Sequence, residues 1–231
     1  MPRARSSRTY RQTAAIPQEE GSGCLSGFML VPLTVLFISA ILASLAWTKT
    51  TPIPFSSNVT TPDSISTNLS PIFREEVLYW ADSISRWASA SNLDSNLVAT
   101  IMQIESCGDP HATSSAGAMG LFQVMPFHFR FGENPYNPET NALRGLNYLS
   151  RSLSAANGNA RLALAGYNGG IGVITRNEWT WPSETLRYIR FGVPMYEDAR
   201  SGAPTSTALN DWYQKYGAGL CLQASRRLGL N

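Results

Sequence analysis

The sequence predicts a mainly α-helical domain held to a membrane by one N-terminal helix, and three observations carry that reading. From Gly21 to Thr48 there is no charged residue. Beyond Ser70, apolar residues recur at spacings of three and four over most of the chain, the period of amphipathic helices. No pair of segments reads as a β-hairpin, and there is no internal repeat.

The membrane helix comes first. Gly27 to Trp47 is nearly all apolar, and about 20 such residues cross a bilayer core. Arg3, Arg5, Arg8 and Arg11 lie before it; Lys49 follows it, and the next basic residue is Arg74. The positive-inside tendency makes residues 1–26 a cytoplasmic arm, 27–47 a single-pass signal anchor and the remainder extracytoplasmic. The alternative is a cleaved signal peptide cut near Ala46, releasing a secreted protein. The long arm ahead of the apolar run favours the uncleaved anchor, with Trp47 at the outer interface. Residues 48–70, rich in Thr, Ser and Pro, read as an extended linker.

The domain proper is placed at 71–200. Ser70 as cap and Pro71 in the first turn open a helix whose face is Phe73, Val77, Trp80, Ala81, Ile84, Trp87 and Ala88. Asp94 caps a second, which buries Leu97, Val98, Ile101, Met102 and Ile104 and stops at Cys107-Gly108 with Pro110 beyond. Asn137-Pro138 opens a third, with Leu143, Leu146, Leu149 and Leu153. A fourth spans about Asn159 to Tyr167. Further helices are expected from Ile171 to Glu178 and from Ser183 to about Phe191. Residues 201–231 are a tail packed on the domain, with "ALNDWYQKY" as a last short helix.

Composition narrows the function. Charged residues are 15% of the chain and the formal net charge is +2, which gives no electrostatic footprint for nucleic acid. With two histidines, His111 and His128, and no HExxH or CxxC pattern, neither a metal nor a cofactor is expected. Of the three cysteines, Cys24 falls on the cytoplasmic side or at the membrane edge. Cys107 and Cys221 fall outside, where a disulfide persists. Pairing them would pin the tail beside the second helix; the sequence leaves open whether they pair. A thiol nucleophile at Cys107 beside His111 is disfavoured, because a helix C-terminus opposes thiolate formation.

One carboxylate stands out. Glu105 ends the apolar second helix and is followed by "DPHATSSAGAMG", a loop of small residues able to pass close to a ligand. Apolar neighbours and the negative end of a helix both raise a carboxyl pKa, as a general acid working near neutrality requires. The competing reading is a solvated acid in a last turn.

Glu105-Ser106, Ala112, Ser114, "GAMGLFQVMP", "AGYNGG" and "SETLRYI" occur in order, and over about residues 75–195 they resemble the soluble lytic transglycosylase catalytic domain. That family is lysozyme-like and related in fold to goose-type lysozymes. The departures are Gly166 for the usual alanine, Phe122 for a frequent Met, Val124 for a frequent Ile, and Cys107-Gly108 after Glu-Ser.

The resemblance implies a peptidoglycan lytic transglycosylase acting on glycan strands. Glu105 would protonate the bond between N-acetylmuramic acid and N-acetylglucosamine, then as a base guide the C6 hydroxyl onto C1, giving a 1,6-anhydro product. Ser114 would orient Glu105 or a sugar group, against a plain turn role. Gln123 would contact an N-acetyl or hydroxyl group, and Met125 would flank the cleft or simply fill core. Tyr167 would bring its hydroxyl to the site, while Asn168 secures the turn. Glu184 would recognise substrate or support the cleft, or else serve as a first-turn helix carboxylate. Two rivals stand beside this reading: a lysozyme-type hydrolase of the same bond, and a non-catalytic glycan-binding scaffold. Protein partners are not indicated by the sequence.

Overall fold

The structure, a computed structural model, describes residues 69–230. The predicted cytoplasmic arm, the membrane helix, Cys24 and all but the end of the linker lie outside the described residues. Among the described residues no helix is long and apolar enough to cross a membrane.

Local chemistry dictates where most helices begin. α1 (Glu75–Leu78) and α2 (Ala81–Ala90) lead in. α3 (Ser95–Glu105) starts at Asp94, whose Oδ1 accepts from the Asn96 and Leu97 amides. In α4 (Pro138–Ala155) the Asn137 side chain caps Thr140, with proline in the first turn. In α5 (Ala160–Gly169) Asn159 caps Leu162. α6 (Ser183–Ser201), α7 (Thr207–Trp212), a π-helical turn (Tyr213–Gly217) and α8 (Ala218–Leu228) complete the order. Among the described residues there is no β-strand; two isolated bridges, Thr113 with Met119 and Met119 with Val124, brace the loop after α3.

α3 sits at the centre. Its residues from Asn96 to Gln103 are all buried, as in a helix packed on every side. α6 and α2 lie against it, and α5 packs between α4 and α6. Trp87 donates its indole N–H to Glu139 Oε2 at 2.6 Å, tying α2 to α4.

Four elements differ from the sequence reading. The first helix opens at Glu75, not Pro71, and breaks at Tyr79–Trp80. Ser70 gives its amide to Asn96, and the Trp80 indole reaches the Gly108 carbonyl, so long-range partners take over local ones. The segment from Ile171 to Glu178 is no helix. It holds a 3-10 turn at Ile171–Val173, and a second follows at Glu178–Thr180. The Trp181 indole binds the carbonyls of Val173 and Arg176, which a continuing helix would need. α6 runs through Pro194 to Ser201, because buried Met195 and Ala199 extend its apolar face. After the short helix the chain forms α8, fastened by a Cys107–Cys221 disulfide with Cα atoms 5.0 Å apart. Asp109, buried, also accepts from Gln223 and pairs with Arg227 at 3.3 Å.

Candidate active site

Glu105 is delivered by the tip of the central helix. It keeps partial exposure and opens into a cavity of about 200 Å³ with Asn168, Glu184 and Tyr188 among its lining. Its carboxyl pKa is raised from 4.5 to about 8. Loss of hydration is the main cause; the Tyr188 hydroxyl acts in the opposite direction, and the Glu184 charge adds to the rise. At neutral pH the group therefore holds a proton beside an open cleft.

Two tyrosines face it. Burial, and then the charge of Glu105, push both the Tyr167 and Tyr188 hydroxyls well above the ordinary phenol range, so both stay protonated donors. Tyr167 donates to the Phe122 carbonyl at 2.8 Å. The buried Tyr188 oxygen interacts with Glu105 but has no partner in full hydrogen-bond geometry among the described residues. The sequence reading did not single out Tyr188. The signal was there: it stands four residues after Glu184, and that spacing puts both on one face of α6.

The loop after α3 forms the neighbouring wall. A second cavity of about 340 Å³ is lined by Gln123, Met125, His128, Tyr148, Tyr167 and Asn168, among others. Asn168 borders both cavities. Its Oδ1 accepts from the Thr185 hydroxyl at 2.9 Å, which joins the end of α5 to α6. Gln123 is left-handed, with φ of 45°, a conformation that costs a non-glycine residue energy and persists only where its surroundings enforce it. Here its Nε2 donates to the Ala112 and Gly120 carbonyls at 3.2 and 3.0 Å. Ser114 lines neither cavity; its Oγ accepts from the Ala118 amide within the loop. Of the sequence-nominated residues, Glu105, Asn168 and Glu184 share the first cavity, and Gln123, Met125, Tyr167 and Asn168 the second.

Asn141, nearly fully buried on α4, holds this loop in register. It accepts from the Phe122 amide at 2.8 Å and donates to the Met119 and Pro135 carbonyls at 2.8 and 2.9 Å. Asn141→Ala leaves the Phe122 amide and the Pro135 carbonyl without a partner, while Met119 keeps the Val124 amide, and should cost about 2–4 kcal/mol, read as a lower urea midpoint. Gly166 is also accounted for: a methyl there would lie 2.7 Å from Ile174 Cδ1 and crowd the Ser152 hydroxyl.

Comparison with known proteins adds the following. Residues 82–183 match the family model described as the transglycosylase SLT domain. The chain is 37% identical over 113 residues to a transglycosylase of Enterobacteria phage PRD1, covering 48% of this chain and 40% of that protein. It is 31% identical over 84 residues to a membrane-bound lytic murein transglycosylase E of Buchnera aphidicola, covering 31% of this chain and 38% of the relative. The chain thus spans about two fifths of the length of these curated relatives. Among solved structures, an inactive mutant of the lytic transglycosylase Slt from Pseudomonas aeruginosa aligns at 27% identity and a TM-score of 0.44. The alignment covers 58% of this chain and 26% of that one.

Proposed function

Because residues 82–183 match the transglycosylase SLT domain model, we propose that this chain is a peptidoglycan lytic transglycosylase. It cleaves the β-1,4 bond between N-acetylmuramic acid and N-acetylglucosamine and leaves a 1,6-anhydromuramoyl end. The observation that carries this reading is Glu105: a carboxyl kept protonated to about pH 8, at the mouth of a cleft, with tyrosine hydroxyls beside it.

The chemistry follows from that environment. Protonated Glu105 gives its proton to the glycosidic oxygen as the C1–O bond breaks and positive charge develops on the sugar. The carboxylate left behind is met by the Tyr188 hydroxyl, the one neighbour that favours its charged form. That carboxylate then takes the proton of the C6 hydroxyl as its oxygen bonds to C1. One group serves as acid and then as base, and no water is consumed. Gln123 and Met125 line the adjoining cavity, where the glycan continues. Ser114 keeps the loop closed, and Asn168 bridges the two cavities.

The predicted anchor over 27–47 would present the domain to the cell wall from the membrane, and the Buchnera relative is named as membrane-bound. A second reading, with water as the nucleophile, is favoured by one observation: the Glu184 carboxylate shares the cavity with Glu105. Mass spectrometry of digested peptidoglycan decides between them. Products one water lighter and lacking a reducing end are expected. Products with reducing muramic ends would make the enzyme a hydrolase.

A further inference from the structure

We infer that one end of the Glu105 cavity is a subsite for the acidic peptide carried by the muramic sugar, with Arg187 as its carboxylate contact. The inference rests on peptidoglycan being the substrate. That end of the cavity is made by Arg187, Phe191, Trp212 and Tyr216. All four lie beyond residues 82–183, and Trp212 and Tyr216 also lie beyond the stretch over which the sequence resembles the family.

The wall is built, not incidental. Trp212 is 4% exposed and fixes the turn. The π-helical segment that follows it brings Tyr216 round to the same cavity, and single π turns often mark functional positions. Gly217 permits this, because any β-carbon there would strike the Trp212 ring. Tyr216 packs edge-on against Phe191, with ring centroids 5.7 Å apart, yet stays 54% exposed. The disulfide and the Asp109 contacts hold this whole segment against the end of α3.

Arg187 gives the subsite its chemistry. Among the described residues it is the one cation lining the cavity. Its guanidinium lies 5.5 Å from the Tyr216 ring centre, and none of the ion pairs among the described residues includes it. Nearby Lys215, by contrast, is committed to Asp211 at 3.7 Å. Glu184, three positions earlier on the same helix, lines the cavity too; a neutral sugar gives the guanidinium no counter-charge. In a peptidoglycan strand the carboxylates sit on the peptide, whose amide bond uses up the muramic lactyl carboxyl; that carboxyl is free only where no peptide is attached. A guanidinium pre-set on an aromatic face offers the fork geometry that carboxylates accept.

The test is equilibrium binding of the full-length chain to two uncleavable probes. One is the N-acetylglucosaminyl-N-acetylmuramyl disaccharide bearing a tetrapeptide; the other is the same disaccharide without peptide, its lactyl carboxyl capped as the methylamide so that it carries no charge. The peptide should raise affinity roughly five- to tenfold at low salt, and less at high salt. Arg187→Gln should erase that increment and leave binding of the peptide-free sugar unchanged, while Arg187→Lys should keep part of it. If the peptide adds no affinity, or Arg187→Gln leaves the increment intact, the subsite is wrong. A chain that shows the increment yet cleaves no peptidoglycan would retain the subsite and lose the enzymatic reading.

Discussion

Glu105→Gln is expected to lower peptidoglycan cleavage by about 10³-fold or more, since in the proposed mechanism proton donation and the later proton uptake both pass through this one group. Gln keeps the shape and the hydrogen-bonding capacity but carries no transferable proton. The wild-type enzyme should lose activity as pH rises through about 8, where the carboxyl gives up its proton. The same substitution has an opposite effect on stability. Between pH 4.5 and 8 the folded chain retains a proton on Glu105 that the unfolded chain releases, so wild-type stability falls across that window and levels off above it. Gln has no such penalty. The variant should match wild type near pH 4 and exceed it by about 2–4 kcal/mol near pH 9, a figure reduced for the partial exposure of the group. Thermal melts at the two pH values read this directly. A variant that gains no stability over wild type between the two pH values would mean that the carboxyl is not held protonated by its surroundings.

Removing the Cys107–Cys221 bond is the second large effect. The bridge spans a sequence separation of 114 residues, and closing a loop of that length removes much of the unfolded chain's freedom, about 3–5 kcal/mol in the chain-entropy account. Both sulfurs are fully buried, and Gln103 donates to Cys107 Sγ at 3.0 Å. The Cys107→Ser/Cys221→Ser double variant, or reduced wild type, should therefore melt well below the oxidised protein. It should also lose affinity for peptidoglycan, since α8 and the π turn lose their tether beside the cleft. A melt unchanged by reductant would show that packing alone holds the tail.

How much of this was legible in sequence depends on whether a feature is fixed locally. The caps at Asp94 and Asn137 and the buried periodicity of α3 are short-range chemistry, and they appear where the sequence indicates them. The Tyr79–Trp80 break, the Trp181 contacts that stop a helix after Val173, and the continuation of α6 past Pro194 depend on partners far along the chain. No local rule exposes those. At the site, Glu105 stood out because a lone acid ends an apolar run. Its second source of pKa elevation, Glu184, is 79 positions away and needed the fold to bring it close. Ser114 shows the converse: the sequence is right about a hydroxyl in the loop, and the loop itself uses that hydroxyl. Trp212 and Tyr216 were seen as a tail helix, without a hint that the π turn aims both rings at the cleft.

The order in which the bridged cysteines are synthesised has its own consequence. Cys107 emerges two residues after Glu105, whereas its partner follows 114 positions later, in α8. A half-made or prematurely clipped chain therefore holds Glu105 but lacks the strap that brings Trp212 and Tyr216 to its cavity. The cavity is completed long after Glu105 is made, and the bridge that fastens it persists only where thiols oxidise.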